Sequence, residues 1–166
     1  MTESNETHMD VLIFCGLQAA GKSTFYREHF LTTHALISKD LMPKTARPAR
    51  KQLELLHLAL QARHPVVIDN TNPTPAERVP LIEIAHSYQA RVIGYYFVAS
   101  TQQAIERNRQ RQGKASVPPV AIYSTAARLT PPTFAEGFDA IYYVYIKDDS
   151  TAFAPAWRIE EIQHHE

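Results

Sequence analysis

The amino-acid sequence predicts an α/β fold in which a parallel sheet is covered by helices on both faces. Short apolar runs alternate with longer segments in which apolar residues recur at helical spacing. A glycine-rich turn separates the first run from the first helical segment, and polar residues follow the ends of the other runs. Strands that alternate with helices favour a parallel sheet, and ligands of such sheets gather at the carboxyl ends of the strands.

Five apolar runs predict the five strands of this sheet. The first run ends at Gly16 and the third is opened by Pro65. The fourth and fifth are rich in β-branched and aromatic residues, which are typical of strands. The predicted strands cover residues 11–15, 35–37, 66–68, 91–98 and 141–146.

Five further segments predict the helices that connect and follow these strands. Leu53, Leu56 and Leu60 recur at helical spacing in the second of them. The predicted helices cover residues 21–30, 46–62, 75–89, 101–111 and 120–129. Because 166 residues suit one domain, we expect a single domain over residues 10–166, preceded by a flexible tail at residues 1–9.

Charge and cysteine content constrain the function. The chain has 17 Lys and Arg against 17 Asp and Glu, so it lacks the basic excess of a dedicated nucleic-acid binder. Any site for a polyanion must therefore be a local cluster. The single cysteine, Cys15, suits a reducing compartment. The polar, acidic residues 1–10 do not resemble a signal peptide, and no apolar run approaches the ~20 residues that span a bilayer. We expect a cytoplasmic protein without a membrane partner.

Residues 16–24, GLQAAGKST, match the phosphate-loop motif at every fixed position, with a predicted strand before and a helix after. Backbone N–H groups of such a loop point at phosphate oxygens, and the following helix directs its positive end at the same anion. Lys22 is expected to reach the β- and γ-phosphates, and Ser23 to supply a hydroxyl to magnesium. The predicted ATP-binding residues are Gly16, Leu17, Gln18, Ala19, Ala20, Gly21, Lys22, Ser23 and Thr24.

Two aspartates follow strands at the same predicted edge of the sheet. Asp40 could accept the proton of an acceptor hydroxyl during phosphoryl transfer, and a helix-capping role explains it equally well. Asp69 is placed to order magnesium through water. A simple turn residue is the alternative for Asp69, although the polar Asn70, Thr71 and Asn72 that follow favour a functional site.

Arg107, Arg109 and Arg111 predict a lid at about residues 104–120. In a continuous helix, Arg107 and Arg111 share a face at i, i+4 spacing, and that face could close over ATP with a guanidinium on the transferring phosphoryl group. A solvated charged helix is the alternative. The guanine-specifying Asn-Lys-x-Asp sequence of a GTPase does not occur, and the small size favours a compact kinase.

Four blocks of the sequence together resemble the kinase domain of the polynucleotide 5′-hydroxyl kinase family, more closely the eukaryotic-type phosphatase/kinase than the phage type. They are GLQAAGKST, VVIDNTNPTPAER, NRQR and PPTFAEGFDAI. The resemblance implies a P-loop kinase with ATP and Mg²⁺ as cofactors and a 5′-hydroxyl DNA or RNA end as acceptor.

The resemblance also implies roles for individual residues. Asp40 would be the general base, and Lys22, Arg109 and Arg111 would complete the catalytic set, with Arg107, Arg109 and Arg111 on the ATP phosphates. The implied substrate-binding residues are Asp40, Asp69, Asn70, Thr71, Asn72 and Arg78. The phage-type enzyme has an acceptor-phosphate arginine where this chain has Pro43, a position for which Lys44 or Arg47 are candidate substitutes.

Two other functions stay open at the level of sequence. The zero net charge and Pro43 are also compatible with a small-molecule acceptor, such as a nucleoside, sugar or antibiotic hydroxyl. An ATP-dependent regulatory switch, in which the arginine lid controls a partner, is the third hypothesis. The sequence predicts no oligomeric state.

Overall fold

A single six-stranded sheet organises the protein. The computed structural model describes residues 9–44, 47–113, 116–147 and 156–165. The strands are β1 (Asp10–Cys15), β2 (Ala35–Ile37), β3 (Val66–Asp69), β4 (Arg91–Val98), β5 (Ala140–Lys147) and β6 (Ala156–Glu161). Their order across the sheet is β2-β3-β1-β4-β5-β6. The first five pair in parallel, whereas β6 pairs antiparallel to β5.

Helices cover both faces of this sheet, as predicted. They are α1 (Lys22–His29), α2 (Pro48–Gln61), α3 (Pro75–Ser87), α4 (Thr101–Gln110) and α5 (Pro119–Arg128), with short 3₁₀ turns at Lys39–Leu41 and Phe134–Glu136. Among the residues that the structure describes, no helix is both long and apolar enough to cross a bilayer.

The core has two halves because β1 is buried on both faces. Val11 and Ile13 pack with residues of α2 and α3 on one face, and Leu12 and Phe14 pack with α1, α4 and α5 on the other. This alternation follows from the two-residue period of a strand. Each fully buried aliphatic or aromatic side chain contributes about 1.5–3 kcal/mol. The central strand, which carries the glycine-rich turn at its end, is therefore firmly fixed.

The predicted α/β sheet is confirmed, but the strand count of five is wrong. The sixth strand, β6, is a largely exposed edge strand of sequence AWRIEE, and such a polar run lacks the apolar signal by which the others were found. Trp157 anchors it, packing edge-on against Phe25 with 5.0 Å between ring centroids and donating a hydrogen bond to Glu28.

Of the predicted tail at residues 1–9, residues 1–8 lie outside the described residues. Met9 does not belong to a tail, because its side chain is only 4% exposed. Its carbonyl accepts a hydrogen bond from the backbone N–H of Arg91 at 2.8 Å, which extends the pairing of β1 with β4.

Candidate active site

The phosphate loop, residues 16–24, has a backbone shape that requires its two glycines. Gly16 and Gly21 adopt φ values of +152° and +96°, a region that side-chain-bearing residues rarely occupy. A Cβ atom on Gly16 would lie 3.0 Å from the carbonyl oxygen of Phe97, and one on Gly21 would lie 3.0 Å from Ile146 and Trp157. Leu17, Ala19 and Ala20 between them are buried. The loop is thus enclosed by β4, β5 and β6.

The segment that follows β3 braces the start of this loop. The backbone N–H of Gly16 donates to the carbonyl of Thr71 at 3.0 Å, and the Asn72 side-chain amide donates to the carbonyl of Phe14 at 2.8 Å. Asn72 is 4% exposed and supports the loop from beneath, and its predicted substrate contact stays a prediction. The substrate contact predicted for the Thr71 side chain stays a prediction.

Lys22 is buried within the loop. Its ammonium group donates to the carbonyl oxygens of Gly16 at 3.0 Å and of Leu17 at 2.5 Å. Burial lowers the pKa of Lys22 to about 8, against the opposing attraction of the Asp69 carboxylate. The group is therefore still mostly charged at neutral pH, and it lies in the cradle of the loop where phosphate oxygens would be bound.

Ser23 and Asp69 bring a hydroxyl and a carboxylate together beside the phosphate loop. The Ser23 hydroxyl donates to Asp69 Oδ2 at 2.7 Å. Burial raises the pKa of Asp69, and the Lys22 charge and the Ser23 hydrogen bond act in the opposite direction. A hydroxyl beside a carboxylate fits Mg²⁺, which binds through one or two protein oxygens together with substrate phosphates. The described residues contain no cluster of three or more His, Cys, Asp or Glu side chains that could hold a metal alone.

Asp40 lies at the same rim as the phosphate loop. It is exposed, in the 3₁₀ turn that follows β2. Its negative charge raises the pKa of both Lys22 and Asp69, which means that the three groups are close enough to interact electrostatically. A solvent-accessible carboxylate near the phosphate-loop lysine is positioned to meet an acceptor that approaches the γ-phosphate from outside.

Asn70 connects the Asp40 turn to the interior. Its Oδ1 accepts from the backbone N–H of Lys39 at 2.9 Å, and its Nδ2 donates to Oε1 of the buried Gln52 at 2.6 Å. Both ends of the Asn70 amide thus bond within the protein, and its predicted role in binding substrate stays a prediction.

Arg78 is a structural residue, contrary to the prediction that it binds substrate. Its side chain is fully buried, and its five N–H groups all donate within the protein. The acceptors are both carboxylate oxygens of Glu136, the carbonyl oxygens of Asn72 and Thr130, and the Thr130 hydroxyl, with Nε 2.6 Å from Glu136 Oε1. No N–H group remains to bind a phosphate.

The three lid arginines occupy different environments. Helix α4 ends at Gln110, and Arg111 has extended backbone, so the prediction that Arg107 and Arg111 share a helix face is wrong. The Arg111 charge lowers the pKa of Lys22 and of Asp69, which places it near the phosphate loop. Arg109 instead pairs with Glu106 at 3.3 Å, facing a solvent-accessible hollow of about 460 Å³. Arg107 is half-buried.

Two side-chain amides make contacts in and beside the predicted lid that the sequence did not indicate. The Asn108 side chain accepts from the backbone N–H of Val117 at 2.9 Å and donates to its carbonyl at 2.7 Å, which closes the turn between α4 and α5. Gln18 Nε2 donates to the Thr125 hydroxyl at 3.0 Å, joining the phosphate loop to α5. The Gln18 contact joins residues far apart in the sequence, and the Asn108 contacts join a side chain to backbone groups. A sequence pattern gives no signal for either kind of contact.

Comparisons with known proteins show the family and the fold. Residues 11–132 match the family described as the AAA domain, and the chain belongs to that family. The family match and the phosphate loop identify a kinase-type phosphotransferase that binds ATP. The chain is also 27% identical over 144 residues to a bifunctional polynucleotide phosphatase/kinase of Schizosaccharomyces pombe, covering 84% of this chain and 34% of that protein.

Solved structures show the same fold. A fungal RNA kinase matches with a TM-score of 0.63 and 16% identity, over 87% of this chain and 40% of that one. A gluconokinase from Sinorhizobium meliloti matches with a TM-score of 0.58 and 19% identity, over 82% of each chain. The resemblance to polynucleotide kinases that the sequence predicted is confirmed, and the chain spans about a third of the length of its curated relative.

Proposed function

We propose that this protein transfers the γ-phosphate of ATP to the 5′-hydroxyl end of DNA or RNA. The observation that carries the proposal is the exposed Asp40 carboxylate, which interacts electrostatically with Lys22 and Asp69 at the rim of the phosphate loop. Similarity to a polynucleotide phosphatase/kinase and to an RNA kinase supports the polynucleotide acceptor.

The proposed reaction assigns one task to each group. The Asp40 carboxylate takes the proton of the acceptor hydroxyl, whose oxygen then bonds to the γ-phosphorus as the bond to the leaving ADP breaks. Lys22 and Arg111 stabilise the negative charge that spreads over the phosphoryl oxygens. Ser23, with Asp69 behind it, would hold Mg²⁺, which neutralises phosphate charge when bound.

A local basic segment supports a polyanionic acceptor despite the zero net charge. Residues 39–51 contain five cationic residues and a single acidic one, Asp40 itself. Arg50 and Lys51 pair with Glu54, whereas Lys44 and Arg47 are exposed between the Asp40 turn and α2. Lys44 and Arg47 are our candidates for the contact with the acceptor phosphate. In the phage-type enzyme an arginine makes this contact, and Pro43 stands at its position here.

The acceptor class is tested by the salt dependence of transfer to a 5′-hydroxyl oligonucleotide. Neutralising two phosphate-binding cations with Lys44→Gln and Arg47→Gln should reduce the slope of log KM against log salt by about 1.4. The matched control is Arg63→Gln with Arg91→Gln, because these arginines lie at the opposite, amino edge of the sheet. An equal change in both double variants would contradict a local phosphate site.

A small-molecule acceptor is the second candidate, supported by the neutral charge and the gluconokinase fold match. It predicts transfer to a nucleoside or sugar with a KM that does not depend on salt. Transfer to such an acceptor, with none to a 5′-hydroxyl oligonucleotide, would overturn the polynucleotide proposal. We further expect the protein to act in the cytoplasm.

A further inference from the structure

The 3₁₀ turn that carries Asp40 has no local cap. Its first backbone N–H belongs to Lys39, and the preceding Ser38 makes no side-chain capping hydrogen bond. The first N–H groups of a helical turn lack partners within the turn and need an outside acceptor. Here that acceptor is Asn70 Oδ1, at 2.9 Å, from a residue 31 positions further along the chain.

Lys39 and Gln52 contact opposite ends of the Asn70 amide. The Gln52 side chain is 6% exposed, on α2, and its Oε1 accepts from Asn70 Nδ2 at 2.6 Å. Because the Lys39 N–H can only donate, it directs Asn70 Oδ1 toward the turn, and Gln52 supports the opposite end of the amide. A flipped amide would present two donors to each other at Lys39, which is unfavourable. The chain of contacts from Gln52 through Asn70 to Lys39 thus has one preferred orientation.

Asn70 and its neighbour Asp69 connect the two halves of the site. Asp69 bonds to Ser23 of the phosphate loop, and Asn70 bonds to the residue next to Asp40. The two residues are consecutive at the end of a buried parallel strand, β3. Their spacing fixes the Asp40 turn relative to the phosphate loop, and hence the general base relative to the γ-phosphate.

We infer that Asn70, supported by Gln52, is a positioning residue that holds Asp40 in line with the phosphate loop for proton removal from the acceptor. The inference rests on the proposed function, because it assigns the residue to the Asp40 step. Asn70 acts through the Asp40 turn and not on ATP. Its removal should therefore lower the rate of transfer at saturating acceptor while leaving ATP binding unchanged.

The test compares kcat for transfer to a 5′-hydroxyl oligonucleotide in six proteins: wild type, Asn70→Ala, Asp40→Asn, the double variant of these two, Gln52→Leu and Gln61→Leu. Asn70→Ala should lower kcat by about 10- to 100-fold, since a misplacement near 1 Å costs about that much, with an unchanged Kd for ATP. Gln52→Leu should lower kcat in the same direction. Gln61→Leu is its matched control, because Gln61 is an exposed glutamine on the same helix.

The double variant separates positioning from a general structural effect. If Asn70 acts through Asp40, adding Asn70→Ala to Asp40→Asn should change kcat by less than about twofold, as expected for residues that act as a unit. Additive losses, or a weakened Kd for ATP, would overturn the inference. Thermal unfolding checks that each variant is folded; if Asn70→Ala is not, Gln52→Leu and its double variant with Asp40→Asn decide the question by the same criteria.

The outcomes also distinguish this inference from the proposed function. Undiminished transfer by Asp40→Asn would remove the general base and the proposed mechanism with it. Loss of transfer in Asp40→Asn with a wild-type rate in Asn70→Ala would overturn the positioning role alone.

Discussion

The phosphate loop and the arginine segment after α4 contribute to one site, but the protein holds them differently. Gly16 bonds to Thr71, the Asn72 amide bonds to Phe14, and β4 lies against the loop at van der Waals distance. In the arginine segment, Asn108 bonds to the backbone of Val117, and Gln18 of the phosphate loop bonds to Thr125 of α5. We therefore expect the first region to be preorganised for phosphate and the second to adjust when the nucleotide binds. The predictions that follow test this division.

The largest expected effect separates the lid arginines. Arg111 interacts electrostatically with Lys22 and Asp69, whereas Arg109 pairs with exposed Glu106. Arg111→Ala should lower kcat by about 10³-fold or more, as for other arginines that stabilise a transferring phosphoryl group. Arg109→Ala should cost less than about fivefold, the range of an exposed ion pair. Steady-state kinetics of both variants test this difference. Equal losses of kcat in Arg111→Ala and Arg109→Ala would contradict it.

The next effect concerns the segment after β3 that braces the phosphate loop, to which Arg78 bonds at Asn72. Arg78→Met leaves the buried Glu136 carboxylate without its partner, and we expect the free energy of unfolding to fall by about 3–5 kcal/mol. Adding Glu136→Leu should recover part of that loss. Arg50→Met is the control, because the Arg50–Glu54 pair is exposed, and it should change stability by less than about 1 kcal/mol. Urea unfolding measures all three, and a loss below 1 kcal/mol for Arg78→Met would refute its bracing role.

We expect the affinity for MgATP to depend on pH through Lys22. Its pKa of about 8 in the protein should rise when anionic phosphates bind beside it, so that binding takes up a proton above pH 8. The Kd for MgATP should be constant below pH 8 and increase above it, approaching about tenfold per pH unit. Isothermal titration from pH 7 to 9.5 measures this. The weaker binding of Lys22→Met should show no such rise, and a flat wild-type profile would be inconsistent with the lowered pKa.

The smallest effect concerns the contact between the two regions. Gln18→Leu removes the hydrogen bond to Thr125, which is worth about 1 kcal/mol. We therefore expect the Kd for MgATP to change by about fivefold in Gln18→Leu. Gln110→Leu is the control, because Gln110 is an exposed glutamine on α4, and it should leave this Kd unchanged. A double-mutant cycle with Thr125→Val measures the coupling; zero coupling would mean that ATP binding is independent of this contact.

The sequence predicted the parts of the molecule that depend on local pattern. The five parallel strands, their helices and the phosphate loop follow from apolar periodicity and from glycine and lysine at fixed spacing. The edge strand β6 was missed because its polar face is solvated. Arg111 was assigned to a helix that ends one residue earlier, at Gln110, and helix ends are poorly determined by composition.

Polar contacts between distant segments were not predictable from the sequence. Arg78 was expected at the substrate and instead bonds to Glu136, 58 residues away. Asn70 and Gln52 meet across 18 residues, between the end of β3 and α2. Neither partner carries a local pattern that identifies the other, because the sheet topology alone brings them together. Asn70 and Asn72 of the DNTN block make internal contacts of this kind, which their sequence pattern did not indicate.

The central claim is that Asp40 is the general base for phosphorylation of a 5′-hydroxyl end. The most direct measurement is single-turnover transfer of γ-labelled phosphate from ATP to a short oligonucleotide, in wild type and Asp40→Asn. We predict transfer to the 5′-hydroxyl but not to the 5′-phosphorylated oligonucleotide, and a rate about 10²- to 10⁴-fold lower in Asp40→Asn with an unchanged Kd for ATP. Equal rates in the two proteins would contradict the claim.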